Sequence, residues 1–140
     1  MKKFISFKLA AILGQWLFGI FVLFHLSVIL GILVFDYVPI DLLWGGRMET
    51  REQLLNFEVI SLGMMVLCLL IVLIRTGRIR IPALLGASKA GLWILFILFM
   101  LKTVGNLLAE TTFEKSFAVF TALFSVLCLR LALESLTIKT

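Results

Sequence analysis

Glu58 and Lys102 are the residues of this sequence that could do chemistry in an unusual place, because each lies in or beside a long apolar run. Ionisable groups at membrane depth are costly to hold and often serve transport or binding. Glu58 and Lys102 are expected at similar depth on neighbouring helices, where they would form an ion pair. Lys102 and Asn106 are four apart and project from one side of their helix. His25, the only histidine, is expected near the same depth. Together Glu58, Lys102, Asn106 and His25 would make a polar site that takes a proton, an ion or a small polar solute. The competing reading is an ion pair that locks two helices, or side chains that snorkel to the headgroups. A single histidine cannot supply the ligand cluster of a catalytic metal, so neither a metal nor a cofactor is expected. Cys68 and Cys128 are not spaced as Cys-x-x-Cys and read as small apolar groups inside helices. A redox pair between them is the less economical alternative.

The elements that must position these residues follow from composition. Hydrophobic residues make up 62% of the 140, and charged residues only 15%. From Leu9 to Phe35 no Asp, Glu, Lys or Arg occurs. Since a bilayer core takes roughly 20 apolar residues per helix, the chain divides into four spans, at about 9–35, 58–75, 83–108 and 116–138. The expected fold is therefore an all-α membrane protein, a single domain of four transmembrane helices in an up-down bundle. A barrel would need short alternating segments, and the runs here are continuous. The basic N-terminus before an apolar run resembles a signal peptide, but the run exceeds the usual h-region. It reads as an uncleaved first span.

Charge sets the expected orientation. Nine of the 13 basic residues (Lys2, Lys3, Lys8, Arg75, Arg78, Arg80, Lys89, Arg130 and Lys139) fall with the termini and the 76–82 turn, against one acid, Glu134. The remaining four basic residues share the other side with seven acids. Basic residues stay cytoplasmic, so both termini are expected in the cytoplasm of a cell inner membrane. The net charge of +5 flanks spans and does not form a nucleic-acid surface. The expected partners are the lipid bilayer and either a membrane-protein partner or a second copy of the chain.

Local signals refine the elements. Thr50 and Gln53 match a capping box, so the second helix is expected to begin near Thr50, within the extracytoplasmic segment 36–57. Arg130 and Glu134, i and i+4, are expected to pair near the cytoplasmic interface, with snorkelling as the alternative. Gly86-x-x-x-Ala90 and Ala87-x-x-x-Gly91 permit close helix approach. Val66-Leu67-Cys68-Leu69 recurs as Val126-Leu127-Cys128-Leu129, and Gly14-x-Trp16-Leu17 is echoed by Gly91-x-Trp93-Ile94. Such echoes fit either a duplicated hairpin or chance in apolar sequence.

The least generic stretch is Trp44-Gly45-Gly46-Arg47, followed by Glu49, Arg51-Glu52 and Phe57-Glu58. Trp44, Arg47 and Arg51 are candidate binding residues there, either in a cap that meets a partner or as an interfacial anchor leading into a helix. From Trp44 to Glu58 the chain resembles small, functionally uncharacterised four-helix integral membrane proteins of bacteria, a resemblance that implies the fold and no activity. Small multidrug exporters have similar length and four spans, but their first span carries an essential Glu, and span one here has no acid. The leading expectation is a structural, accessory or partner-binding membrane protein. The alternatives are an oligomeric small-solute or ion transporter with a polar site near the outer leaflet, and a lipid-handling or intramembrane enzyme.

Overall fold

The computed structural model describes residues 5–41, 43–44, 47–109 and 112–135. Among these, four helices occur and no strand: α1 (Phe7–Val34), α2 (Arg51–Arg75), α3 (Leu85–Leu107) and α4 (Thr112–Ala132). A 3-10 turn, Pro82–Leu84, leads into α3. With that turn included, all four are long and apolar enough to cross a membrane. The outward faces carry large exposed apolar side chains, among them Trp16, Leu23, Leu33, Ile60, Ile94 and Val119. In water such a surface would be a large aggregation liability, and lipid removes that liability.

Hydrogen bonds fix the direction of each helix. The start of α1 meets the end of α2, where Gln15 Nε2 donates to Thr76 Oγ1 at 3.0 Å. α4 runs back along α3: Thr103 Oγ1 and Thr121 Oγ1 lie 3.0 Å apart, and one turn further along α4 Ser125 Oγ donates to the Phe96 carbonyl at 3.1 Å. Arg130, late in α4, donates from Nε to the Ile5 carbonyl at 2.7 Å. Consecutive helices are therefore antiparallel, and α4 closes back on α1. Packing is most extensive within the pairs α1–α2 and α3–α4. One end of the bundle carries the 36–50 loop (the loop end). The other carries residue 5, the 76–81 turn and residue 135 (the terminal end).

The helix boundaries have local causes. Thr50 Oγ1 accepts from Gln53 N–H at 3.2 Å, and Gln53 Oε1 accepts from Glu49 N–H at 2.9 Å. The capping box thus forms with its return bond displaced by one residue. α4 begins at Thr112, four residues before the expected start, and ends at Ala132, short of the expected Ile138. The shortening has a physical reason. Arg75 donates from Nε to the Leu131 carbonyl and from Nη2 to the Glu134 carbonyl, occupying acceptors at the helix C-terminus. Cations are favoured at that end of a helix. Residues 136–138 of the expected span lie outside the described residues.

Arg130 pairs with Glu134 at 2.8 Å, but its side chain is only 4% exposed. Snorkelling is therefore not what it does. The buried guanidinium bridges Glu134 and the backbone ahead of α1.

The two halves of the bundle differ in density. Toward the terminal end Ala10, Ala11, Phe18, Cys68, Val72, Leu92, Leu127, Cys128, Leu131 and Ala132 form one buried core. Both thiols are free and buried there. The small-residue stripe on α3 is used at one position. A Cβ on Gly91 would meet Ile71 Cδ1 at 3.2 Å, whereas a Cβ on Gly86 would meet nothing within 4 Å. α2 and α3 therefore touch closely near Gly91. Leucine at Gly91 should destabilise the protein by about 1–3 kcal/mol through overpacking, while leucine at Gly63, which faces open space, should leave it near wild type. Thermal unfolding in detergent, read side by side for the two variants, checks this.

Candidate functional site

At the loop end the packing opens into a cavity of about 400 Å³ that all four helices line. Its floor is aromatic. Phe124 stacks on Phe99 with centroids 4.8 Å apart and an interplanar angle of 23°. Phe18 lies 4.4 Å from Phe124 on the buried side, and Phe21 meets Phe124 edge-on at 5.1 Å. Each such pair adds about 0.5–1.5 kcal/mol beyond area burial, so the floor is stiff and separates the cavity from the core beneath. Along α2 the lining runs from Cys68 to Phe57. At 1.5 Å per residue that is a depth of roughly 15 Å, about half the hydrocarbon core of a bilayer. Its flanks carry exposed Phe57, Ile60 and Met64 on α2 and exposed Leu98 on α3. The cavity therefore opens sideways between α2 and α3 as well as toward the loop.

The polar end is built around Glu58, which is 1% exposed although it carries a carboxylate. His25 Nδ1 lies 2.6 Å from Oε2. Trp44 Nε1–H donates to Oε1 at 2.9 Å. Each oxygen thus has a partner, which is the condition for holding such a group away from water. The expected Glu58–Lys102 ion pair does not form. The reason is geometric: α1 and the 36–50 loop reach the carboxylate first, and Lys102 Nζ instead lies 6.0 Å from the Trp44 ring centroid. Lys102 and Asn106 line the same cavity. Asn106 Nδ2 also donates to Thr121 Oγ1 at 3.4 Å.

The 36–50 loop delivers Trp44 through a folded-back path. Arg51 Nη2 donates to the Ile32 carbonyl at 3.0 Å, and its Nε lies 3.5 Å from Asp36. This ties the start of α2 to the end of α1. Ile32, Leu43 and Leu54 form a small buried cluster beneath. Trp44 itself has φ 54°, a region that bulky residues rarely occupy and that costs of order 1–3 kcal/mol. The bond to Glu58 and a ring contact with Phe57 at 5.5 Å hold it there.

Of the sequence-derived candidates, the structure brings together His25, Glu58, Trp44, Lys102 and Asn106 around one cavity. Arg51 lies outside the cavity lining and fastens the loop. Arg47 is exposed, and its described bond is a backbone one to the Trp44 carbonyl at 3.3 Å. Sequence reasoning missed Phe21, Phe24, Ser61, Met64, Phe117 and Phe124 as lining residues. Nothing distinguishes the phenylalanines and Met64 in sequence from lipid-facing apolar residues, and a lone serine in a helix carries no signal of its own. Among the described residues no group of three His, Cys, Asp or Glu side chains could hold a metal ion.

The shared carboxylate makes its bonds interdependent. Trp44→Phe and Glu58→Leu should each destabilise the protein. Their double-mutant cycle should give a coupling of about 1–2 kcal/mol, because the second change removes a bond that the first has already broken. Denaturant titration in mixed micelles measures it, and strict additivity would contradict the geometry.

No family model, curated protein or solved structure matches this chain.

Proposed function

We propose that this chain is a small multi-pass membrane protein that binds a lipid-phase amphiphile in the cavity between its helices. The observation that carries this reading is the shape of the bundle: shut by stacked phenylalanines on the terminal side, open sideways between α2 and α3, and polar only at the loop end. Binding cavities are concave, mostly apolar, a few hundred Å³ in volume, and carry a few fixed polar groups. With the basic terminal end in the cytoplasm, the cavity would occupy the outer leaflet, and a ligand would enter from the lipid. The accompanying role is accessory, holding or presenting the ligand, within an inner membrane and in the company of a membrane-protein partner or a second copy.

Two features weigh against the other expectations. Transport through the bundle would require the Phe18–Phe99–Phe124 floor to part. Partner binding through Trp44 and Arg51 would compete with their bonds to Glu58 and Ile32. Arg47 remains the exposed member of that set and the residue through which a partner would be felt.

A protein with Trp44 as sole tryptophan (Trp16→Phe, Trp93→Phe), in lipid nanodiscs, tests the reading. A dibrominated alkyl amphiphile should quench Trp44 in a saturable manner. Ser61→Phe, which fills the cavity, should weaken that saturable phase at least tenfold. Quenching that rises linearly with bromine content in both proteins would reject a binding site.

A further inference from the structure

A second hollow lies at the terminal end of the bundle, where the start of α1 meets the turn after α2. Its volume is about 280 Å³, and it is lined on α1 by Phe7, Lys8, Ile12 and Gln15 and on the turn by Thr76 and Arg78. The turn that carries Arg78 has a fixed geometry. Gly77 has φ 73°, a left-handed conformation that glycine adopts without steric cost. Its N–H donates to the Ile74 carbonyl at 3.1 Å, and the Arg78 N–H donates to the Leu73 carbonyl at 3.0 Å. That pair of bonds is the Schellman closure of a helix C-terminus. Gln15 Nε2 then joins α1 to the same cap through Thr76 Oγ1 at 3.0 Å. The backbones that carry Lys8 and Arg78 are therefore held on either side of one hollow.

The hollow is positive. Neither Lys8 nor Arg78 has a carboxylate within 4.0 Å among the described residues. The acid of this end, Glu134, is bonded to Arg130. The first turn of α1 contains no acid, so the positive end of that helix dipole adds to the two side chains. The apolar wall is the exposed Ile12 and the half-buried Phe7. α1 has 28 residues, which is about 42 Å of helix against a hydrocarbon core of about 30 Å. With the bundle in a bilayer, the excess shared between its two ends places the first turn of α1 among the headgroups. Ile12, one turn beyond Lys8, then reaches the acyl chains.

A phosphate suits this arrangement. Its oxygens accept two parallel bonds from a guanidinium and a further one from an ammonium. A free phosphate would make no use of the apolar wall, whereas a lipid would. A zwitterionic head would bring its own cation between Lys8 and Arg78, with no carboxylate there to meet it. Basic pockets between helices at a membrane surface bind anionic headgroups for these reasons.

We propose that the hollow binds the phosphate of an anionic phospholipid from the leaflet at the terminal end, with Lys8 and Arg78 on the phosphate and an acyl chain descending along Phe7 and Ile12. This rests on the bundle spanning a membrane and not on the cavity at the loop end.

Native mass spectrometry of the intact protein in mild detergent, titrated with phosphatidylglycerol and with phosphatidylcholine of the same acyl chains, tests the site. The first phosphatidylglycerol should bind roughly thirty-fold more tightly than the first phosphatidylcholine, the weight of two basic residues beside an anionic lipid. Lys8→Gln with Arg78→Gln should bring that ratio to about one. Arg80→Gln with Lys89→Gln removes two exposed cations of the same end that lie outside the hollow, and should leave most of the preference. Ile12→Trp fills the hollow while keeping both cations, and should lower the ratio about tenfold. The proposal is overturned if the Lys8–Arg78 variant keeps its preference, if the Arg80–Lys89 variant loses as much, or if Ile12→Trp changes nothing. Displacement of phosphatidylglycerol by millimolar inorganic phosphate would overturn it too, by making the ligand a free anion. Resistance to alkaline extraction from phosphatidylcholine liposomes reads the spanning state separately. A protein that stays embedded without a lipid preference rejects the hollow alone, and one that is extracted rejects both readings.

Discussion

A single carboxylate joins three parts of the chain that are far apart in sequence. Glu58 on α2 is held by His25 from α1 and by Trp44 from the loop between them. A buried acid is tolerable only when both oxygens are satisfied, and here satisfaction requires the loop to fold back and its tryptophan to adopt φ 54°. The carboxylate thus determines where the loop lies and how the imidazole is turned. It also determines that Lys102, with no carboxylate within 4.0 Å of it among the described residues, rests over an aromatic face instead.

The division of the bundle follows from side-chain size. Where α1 to α4 present alanine, glycine and cysteine, as at Ala10, Ala11, Gly91, Cys68, Cys128 and Ala132, backbones come close and the core closes. Toward the loop end the inward positions change to phenylalanine, histidine, methionine and lysine. Large rings hold the helices apart and brace one another at 4.4 to 6.3 Å. The space between them is therefore a consequence of bulk without enough partners to fill it, and its polar end is whatever the loop brings down.

How much of this could be read from the residues alone depends on range. The four helices were legible because apolar runs longer than any core helix needs admit one explanation. The start of α2 was legible from Thr50 and Gln53, since capping is decided within one turn. That His25, Glu58, Lys102 and Asn106 gather at one level was legible from counting turns. Which of them pair was not. Glu58 and Lys102 share a depth, but pairing depends on helix rotation and on a loop whose path rests on a left-handed tryptophan that no local pattern predicts. The end of α4 was illegible for a similar reason. The span expected from sequence continues to Ile138, while the arginine that occupies the terminal carbonyls of α4 comes from α2.

The Arg130–Ile5 bond has a consequence for how such a molecule is assembled. Its partners stand 125 positions apart, so the segment ahead of α1, though made earlier, cannot be seated until nearly the last turn of α4 has left the ribosome. Until then the beginning of α1 is without that fastening. The final helix then closes the ring, bringing its own buried guanidinium and the acid that neutralises it. Biogenesis would be most vulnerable in that interval, when three helices are in place and the carbonyl at Ile5 still waits for its arginine.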